Sequence, residues 1–307
     1  MLDVKRLQVL LKVVETGSVS AAADELFYTP SAVSQQLRKL EDEVGQPLLR
    51  RRARGMVPTD AGHVLAGHAR TILRQMDAAV ADLAQLSALD GGSLNLGTFP
   101  TLGGSFLPLV ISRFRSQYPA IALHVTSSRL DGLLDLLARG DLGLSLLWEY
   151  AWNPLDPKQF DLLPVFEEPT VLVVGAQHAL ADRGQVEMAE LGAEQWIVRA
   201  DNHPVGEVLQ RSCNAAGFSP LISFQANDYQ EAQAMVSVGL GIALAPLSAV
   251  VIQHPGVRVL RLGDSAPSRR VVLAQRHDRV RAPAEVAFQS LLLRVAEEWE
   301  RDVVSPS

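Results

Sequence analysis

The sequence lacks the features that mark several common protein classes. It contains one cysteine, Cys213, so an intramolecular disulfide is impossible and a reducing compartment is expected. No window approaches the roughly 18 uninterrupted apolar residues that a transmembrane helix needs. The amphipathic, charged N-terminal segment has neither the apolar stretch nor the cleavage site of a secretory signal. We therefore expect a cytoplasmic protein with no membrane partner.

Motifs that carry catalysis are also missing. The chain has no Gly-x-Ser-x-Gly, no P-loop, no Gly-x-Gly-x-x-Gly, no His-Glu-x-x-His and no cysteine pair, and Gly239-Leu240-Gly241 lacks a third glycine. His63 and His68 have no cysteine or acidic companions at metal-ligand spacing. We predict no enzyme activity, no cofactor and no metal. The alternative is a small-molecule enzyme or binding protein with an incidental helical N-terminus, which would need a catalytic constellation.

Charge is distributed unevenly along the 307 residues, a length that favours two or three domains. The formal net charge is −6, yet residues 1–60 carry nine Lys and Arg against eight Asp and Glu, whereas the remainder carries 19 against 26. A locally basic patch on an acidic protein can still bind phosphates, because counterion release depends on the contacting charges rather than on the total.

Three helical patterns occupy residues 4–45. Gly17 suits the end of the first helix and Ser18 the N-cap of the second. Phe27-Tyr28-Thr29 forms a turn, after which Thr29 caps a third helix that Pro30 begins and Gly45 ends. Two helices around a tight turn are typical of a DNA-binding headpiece.

The third helix has an apolar stripe, and polar side chains that can bind base edges or phosphates occupy its opposite face. Four arginines follow in a segment where Gly55 and Pro58 predict a turn or a β-hairpin, a wing that could hold phosphates or enter the minor groove. Each feature alone also fits a solvated surface, but together they favour DNA binding. The candidate DNA-contacting residues are Ser31, Ser34, Gln35, Arg38, Arg50, Arg51, Arg52 and Arg54.

This segment resembles the winged helix-turn-helix of LysR-type transcriptional regulators over about 60 residues without a gap. The motifs that carry the resemblance are Gly17-Ser18, Ala22-Ala23, Pro30-Ser31-Ala32-Val33-Ser34-Gln35-Gln36, Leu40-Glu41, Gly45-Gln46-Pro47-Leu48-Leu49-Arg50-Arg51 and Thr59-Asp60-Ala61-Gly62. Leu49 replaces the usual phenylalanine. The resemblance implies a winged helix-turn-helix domain at 1–58 that binds double-stranded, palindromic operator DNA.

Residues 59–89 predict one long helix. Apolar residues and His68 recur at spacings of three and four, close to a heptad seam, in Ala61, Leu65, His68, Ile72, Met76, Ala79, Leu83 and Leu86. Packing against the same chain is one explanation. The resemblance favours a linker helix that joins subunits into a homodimer or homotetramer.

Residues 90–307 alternate predicted strands with helices of ten to twelve residues, which indicates a parallel α/β arrangement. Leu107-Pro108, Tyr118-Pro119, His178-Ala179-Leu180-Ala181 and Val238-Gly239-Leu240-Gly241-Ile242 resemble the family's effector-binding domain. That resemblance implies two lobes built like a periplasmic binding protein. Lobe I would span about 90–163 and 268–307, and lobe II about 164–267.

In such a fold a small-molecule co-inducer binds between the lobes, where strands end and helices begin. Thr101 is the strongest candidate by its family position. Any of the candidates could instead be an ordinary strand-end cap or turn former, and the basic Arg129 and Arg199 leave the effector's charge open. The candidate effector-contacting residues are Thr98, Phe99, Thr101, Leu102, Ser128, Trp148, Asn202 and Asn227.

Overall fold

A computed structural model of the chain describes residues 2–52, 55–85, 92–200, 204–263, 267–277 and 281–304. Three helices and a two-stranded hairpin form the N-terminal domain, and a longer helix continues from it. These elements are α1 (Val4–Thr16), α2 (Val19–Leu26), α3 (Pro30–Val44), β1 (Leu49–Arg52), β2 (Gly55–Pro58) and α4 (Asp60–Gln85).

The predicted helix ends are confirmed by their caps. The Ser18 side chain accepts from the backbone N–H of Ala21, and Gly17 and Gly45 end α1 and α3 in the left-handed conformation. Thr29 accepts from the backbone N–H three residues later, with Pro30 at the first helical position. These caps satisfy donors and acceptors that a helix end would otherwise leave unpaired.

The β1–β2 hairpin is tied closely to the helices. The Met56 backbone N–H donates to Gly17 O at 2.8 Å, and a Cβ at Gly55, which has φ +119°, would lie 2.4 Å from that same oxygen. Glu41 Oε1 accepts from the backbone N–H groups of Leu48 and Leu49. The wing is therefore fixed to both α1 and α3, so its arginines hold a defined position next to α3.

The helix α4 confirms the predicted long helix up to Gln85, whereas residues 86–89 lie outside the described residues. Its first turns pack on the headpiece core through Ala61, Leu65, Ala66 and Ala69. Farther along, Ile72, Met76 and Val80 follow one another at a spacing of four and are exposed. His68 is also exposed. The predicted seam is therefore divided: its first members are covered by the same chain, and the later ones that the structure describes are uncovered.

The C-terminal domain contains two five-stranded sheets. The first sheet has the order β4-β3-β5-β12-β6, with the first three strands parallel and the last two antiparallel to their neighbours. Its strands and the helices that pack with them are β3 (Gly92–Thr98), α5 (Pro100–Gly103), α6 (Phe106–Gln117), β4 (Ile121–Ser127), α7 (Leu130–Arg139), β5 (Leu144–Glu149), β6 (Phe160–Glu168), β12 (Arg269–Arg276) and α10 (Pro283–Trp299).

The second sheet repeats this pairing pattern in the order β9-β8-β10-β7-β11. A 3-10 helix at Leu247–Val250 follows β10, another lies at Met188–Leu191, and a π-helical turn at Glu300–Val304 follows α10. The remaining elements are β7 (Thr170–Gly175), β8 (Gln195–Arg199), α8 (Pro204–Ala215), β9 (Leu221–Ala226), α9 (Tyr229–Ser237), β10 (Ile242–Pro246) and β11 (Val257–Arg261).

The predicted α/β arrangement is confirmed, with parallel pairs among β3, β4 and β5 and among β8, β9 and β10. β6, β7, β11 and β12 add antiparallel pairs, so both sheets are mixed. The sequence pattern missed β6, β11 and β12 altogether. The expected change of lobe at about 163/164 falls inside β6, which stays paired with β12 as far as Glu168. The domain and lobe limits remain predictions, and the pairing favours a crossing after Glu168. No helix in the described ranges is long and apolar enough to cross a membrane.

Candidate DNA-binding face and ligand cavity

The polar face of α3 is open, as the sequence predicted. Ser31, Gln35 and Arg38 are exposed. Ser34 is half-buried, and its hydroxyl donates to Pro30 O at 2.9 Å. The neighbouring Gln36 turns away and accepts from Arg6 Nε of α1 at 3.2 Å. Base-edge donors and acceptors therefore lie on one exposed strip of α3, which is what a helix in the major groove requires.

A groove of about 490 Å³ runs between the N-terminus of α2, the polar face of α3 and the wing. Ser34 and Arg38 line it from α3, and Arg51 lines it from β1. Val19 and Ser20 belong to the first turn of α2, where backbone N–H groups have no partner within the helix. Free N–H groups beside two guanidinium groups form an arrangement suited to a phosphate.

The wing arginines do not form one row. Side chains alternate along a strand, so Leu49 and Arg51 share one face of β1 while Arg50 and Arg52 share the other. Leu49 is buried and lines the groove together with Arg51. Arg50 and Arg52 are exposed on the opposite face. Arg54 lies outside the described residues.

In the C-terminal domain, a buried ion pair lies where the chain passes between the two sheets. Glu168 ends β6 and Arg269 begins β12, and both side chains are at most 1% exposed. Arg269 Nε and Nη2 donate to Glu168 Oε1. Glu168 also accepts from the backbone N–H of Ser248 at 2.7 Å and from its hydroxyl at 3.1 Å. Ser248, which follows β10 of the second sheet, is thus bound by a carboxylate at the end of β6 in the first.

The Arg269 guanidinium is also bound to Thr101 and packed against aromatic rings. Its Nη2 donates to Thr101 Oγ1 at 3.2 Å and to the Ser248 hydroxyl at 3.0 Å, and its central carbon lies 5.0 Å from the Phe99 ring and 6.0 Å from the Trp148 ring. Burial works to lower the pKa of Arg269, but the Glu168 carboxylate outweighs it and raises the pKa. The guanidinium therefore stays charged at any working pH.

A cavity of about 70 Å³ lies next to this cluster, and residues from elements around both sheets line it. Thr101 comes from α5 beside the first sheet, and Ser248 comes from the 3-10 helix beyond the second. Burial raises the pKa of the Tyr229 hydroxyl, which therefore stays protonated. The lining residues are Pro100, Thr101, Gly104, Arg199, Asp228, Tyr229, Gln230, Ser248, Ala249 and Ile252.

Three of the predicted effector residues, Phe99, Thr101 and Trp148, meet around Arg269. Phe99 and Trp148 are both 3% exposed, so they cover the guanidinium instead of forming an open aromatic wall. The side chains of Thr98 and Leu102 are also buried.

Of the predicted effector residues that the structure describes, Thr101 alone lines the cavity. Ser128 lies beside β3, where its backbone N–H donates to Thr98 O. Asn227 is exposed, and both its backbone and side-chain N–H groups donate to Glu231. Asn202 lies outside the described residues.

The sequence pattern did not single out Glu168, Ser248 and Arg269, whose hydrogen bonds form the buried cluster beside the cavity. Arg269 begins the strand β12, which the sequence pattern did not predict, so its role had no local signal. The sequence offers one hint to the ion pair: a charged residue lies at each point where the chain leaves or re-enters the first sheet. This hint can be used only once the order of the strands is known. Cys213 is fully buried, and burial raises the pKa of its thiol to about 11.

Comparison with known proteins places both regions. The family model described as "Bacterial regulatory helix-turn-helix protein, lysR family" matches residues 4–63, and "LysR substrate binding domain" matches residues 87–297. The DNA-binding transcriptional dual regulator OxyR of Escherichia coli (strain K12) is 30% identical over 277 residues, which are 90% of each chain. The transcriptional dual regulator GltC of Bacillus subtilis (strain 168) is 26% identical over 304 residues, 98% of this chain and 99% of GltC.

Among solved structures, full-length CbnR in complex with its target DNA has a TM-score of 0.69 at 21% identity, covering 96% of this chain and 100% of CbnR. That likeness shows the fold. The two family models between them cover most of the sequence and match the headpiece and the two-sheet domain separately. A substrate-binding domain follows the headpiece in the sequence. The chain belongs to the LysR family of bacterial regulatory helix-turn-helix proteins and is a DNA-binding transcriptional regulator, not an enzyme.

Proposed function

We propose that the protein binds a palindromic operator through the polar face of α3 and the groove next to it. The observation that carries this proposal is the shared groove, because Ser34 and Arg38 of α3 and Arg51 of the wing line one surface beside the N-terminus of α2. Ser31, Gln35 and Arg38 contact base edges in the major groove. Arg51 and the first turn of α2 hold a phosphate at the groove.

The other face of the wing has a separate role in this proposal. Arg50 and Arg52 are exposed opposite Arg51, and with Arg54 they contact the backbone or the minor groove beyond the base-reading helix. We expect Arg52→Ala to weaken binding to all DNA sequences, and Gln35→Ala to relax the choice of base at one position.

The working unit is a homodimer or homotetramer assembled through α4. Ile72, Met76 and Val80 are exposed along this helix, and an apolar row of this kind is covered by a partner helix in a coiled-coil pair. A two-fold pair of headpieces matches a palindromic site. A regulator that binds chromosomal DNA works in the compartment that contains it, so we propose a cytoplasmic location.

The effector binds in the cavity lined by Thr101 and Ser248, where residues from both sheets meet. Ser248 already joins the sheets through Glu168. A ligand that contacts Thr101 and Ser248 together changes the closure of the lobes, and we propose that closure alters the spacing of the paired headpieces.

Hydrogen peroxide-inducible genes activators are among the similar proteins, but the single cysteine of this chain is poorly placed to react with peroxide. A thiol reacts with peroxide as the thiolate, and the single cysteine, Cys213, is fully buried with its pKa raised to about 11. Very little thiolate therefore exists near neutral pH. We propose that the effector binds without covalent change.

The test of DNA binding uses the full-length chain against a pool of random duplexes, with selection and sequencing of the bound fraction. We expect enrichment of an inverted repeat, loss of that enrichment for Arg38→Ala, and for Arg51→Ala a smaller bound fraction with the same enriched sequence. The matched control is Arg70→Ala, an exposed arginine on α4 outside the groove. Enrichment of no sequence at all would refute the proposed function.

A further inference from the structure

A carboxylate of α3 binds the start of the wing. Glu41 Oε1 accepts hydrogen bonds from the backbone N–H groups of Leu48 at 2.8 Å and of Leu49 at 3.2 Å. Leu49 opens β1 opposite Pro58, which has no backbone N–H of its own to donate across the hairpin. The first rung of the hairpin therefore has one main-chain donor fewer than an ordinary rung, and a side chain of α3 holds it instead.

Glu41 lies on the same side of α3 as the proposed DNA-contacting residues. Ser34, Arg38 and Glu41 are spaced by four and then three residues, so they follow one line along the helix. All three line the groove, together with Arg51 of the wing. Among the residues that the structure describes, Glu41 forms no ion pair with Arg38 or Arg51. Its carboxylate is bound to the backbone, which leaves both guanidinium groups available for phosphates.

The strand β1 connects Glu41 to Arg51. Leu49 and Arg51 lie on the same face of β1, two residues and so about 7 Å apart along the strand. The bonds to Glu41 fix the backbone at Leu48 and Leu49. A shift of β1 relative to α3 therefore moves the Arg51 side chain with it. A displacement of about 1 Å is enough to take a charge-assisted hydrogen bond out of its normal range.

The other bonds of the wing join it to different elements. The Met56 N–H donates to Gly17 O at the end of α1, and the N–H of Thr59, just before α4, donates to Leu48 O at 2.9 Å. The bonds to Glu41 instead join the wing to α3, whose polar face is the proposed base-reading surface. They are thus placed to set the distance between that face and the arginine of the groove.

We propose that Glu41 is a positioning residue for DNA binding, and that its carboxylate sets the place where Arg51 meets a DNA phosphate. This inference rests on the proposed phosphate contact of Arg51 and adds the residue through which that contact is placed. A carboxylate in a groove that holds a phosphate is repelled by it, so the charge of Glu41 does not favour binding. What Glu41 contributes to binding is its acceptor oxygen.

The test uses the full-length chain and a random-sequence duplex of fixed length, with the dissociation constant measured by fluorescence anisotropy at several salt concentrations. Glu41→Ala removes the acceptor. It should weaken binding about tenfold, the factor of one lost charge-assisted bond, and lower the salt slope by about one, as Arg51→Ala does. Glu41→Gln should bind at least as tightly as the unmodified protein, because one amide oxygen can accept both N–H bonds. Both Glu41 variants lack the charge, so their difference measures the acceptor alone.

Double variants show whether Glu41 acts through Arg51. Glu41→Ala should cost less than about twofold when Arg51 is already alanine, whereas its loss should multiply with that of Gln35→Ala at the selected operator. A purely structural role would weaken the whole headpiece and multiply with both. Asp42→Ala is the matched control, because Asp42 is an exposed acidic residue of α3 outside the groove, and it should keep the salt slope.

A second variant covers the case in which Glu41→Ala does not fold, as judged by circular dichroism at 222 nm. Glu41→Asn is as neutral as Glu41→Gln but withdraws the acceptor by one carbon–carbon bond, about 1.5 Å. It then takes the place of Glu41→Ala in every comparison. The expected results are the same: weaker binding, a lower salt slope and little further loss on top of Arg51→Ala.

A positioning role for Glu41 is overturned if removing the acceptor keeps both the affinity and the salt slope, if glutamine does not restore them, or if the losses at Glu41 and Arg51 multiply. In each of these cases Arg51→Ala still weakens binding, so the proposed function stands. If Arg51→Ala has no effect of its own, the proposed phosphate contact and the role of Glu41 fail together. Operator selection on the unmodified chain tests the proposed function separately.

Discussion

The proposed DNA-binding face and the proposed ligand cavity are built in opposite ways. The face uses residues from one helix and the hairpin next to it, and Ser31, Gln35 and Arg38 are fixed by the helical repeat alone. In the cavity cluster, Arg269 lies 101 residues from Glu168 and 168 residues from Thr101 along the chain. Contiguous residues make the first site, whereas the second exists only after two sheets have formed.

The two sites also differ in what holds their charges. Arg38, Arg50, Arg51 and Arg52 of the headpiece are exposed, so their interactions with one another and with neighbours are screened by water and salt. Arg269 and Glu168 are buried, where a missing partner leaves an uncompensated charge in a poor solvent. In the proposed function the same residue type therefore contributes to DNA affinity in one region, and its buried ion pair links it to the stability of the fold in the other.

The strongest test of this difference removes one member of the buried pair. Arg269→Ala should lower the free energy of unfolding of the substrate-binding domain by about 3–5 kcal/mol, because Glu168 is left buried without its counter-ion. Urea denaturation followed by tryptophan fluorescence measures it cleanly. All four tryptophans, Trp148, Trp152, Trp196 and Trp299, lie in that domain and none lies in the headpiece.

The matched variant replaces both partners. Arg269→Met with Glu168→Gln removes the two charges together, so it should cost much less than Arg269→Ala. Arg51→Ala in the headpiece should leave the tryptophan transition unchanged. If Arg269→Ala were as stable as the unmodified protein, the buried pair would not stabilise the fold, and the contrast with the exposed arginines would fail.

The helix α4 belongs to neither site, and its exposed row should behave like an interface. Ile72→Ser should weaken self-association by about 1.5–3 kcal/mol for each side chain that a partner would bury. Analytical ultracentrifugation over a dilution series measures the dissociation constant. Arg70→Ser, nearly opposite on the same helix, is the control. Equal dissociation constants for the two variants would contradict pairing through this row.

Much of the headpiece could be predicted because its signals are local. Gly17, Ser18, Thr29, Pro30 and Gly45 mark helix ends through their own backbone preferences and short side-chain bonds, and each occupies the predicted cap or first-turn position in the structure.

The missed parts depend on pairing between distant segments. The strand β12 is recognisable only beside β5 and β6, and its antiparallel direction follows from where the chain returns after the second sheet. Thr101 could be predicted because it follows a strand and opens a helix. The hydrogen bond that it accepts from Arg269 could not, since that depends on the position of β12. The wing arginines were predicted as a set, but the register of β1 separates Arg51 from Arg50 and Arg52.

Within the headpiece, two substitutions should separate base recognition from phosphate binding. Gln35→Ala should cost about 1–3 kcal/mol at the preferred operator and relax the choice of base at one position. Arg51→Ala should weaken operator and random DNA alike and reduce the salt slope of binding by about one. Fluorescence anisotropy at several salt concentrations measures both. Gln46→Ala, exposed beyond the end of α3, is the control. Identical specificity profiles for Gln35→Ala and Arg51→Ala would contradict the assignment.

The smallest effect is expected at the helix-turn-helix turn, where local strain can be separated from contacts. Phe27 has φ +57° and is 96% exposed, so it adopts a left-handed conformation that is costly for a bulky residue and buries almost nothing in return. Its backbone N–H still donates to Ala23 O and Asp24 O, so the turn itself is well satisfied. Phe27→Asn keeps that bond, and asparagine tolerates this conformation better. We expect headpiece stability to rise by up to about 1 kcal/mol, measured by thermal unfolding with circular dichroism at 222 nm, while the tryptophan transition stays unchanged. A loss of headpiece stability would mean that a contact of the Phe27 ring outweighs the backbone strain. Local backbone preferences would then not be enough to explain this region, and contacts between distant residues would matter here as they do at the cavity.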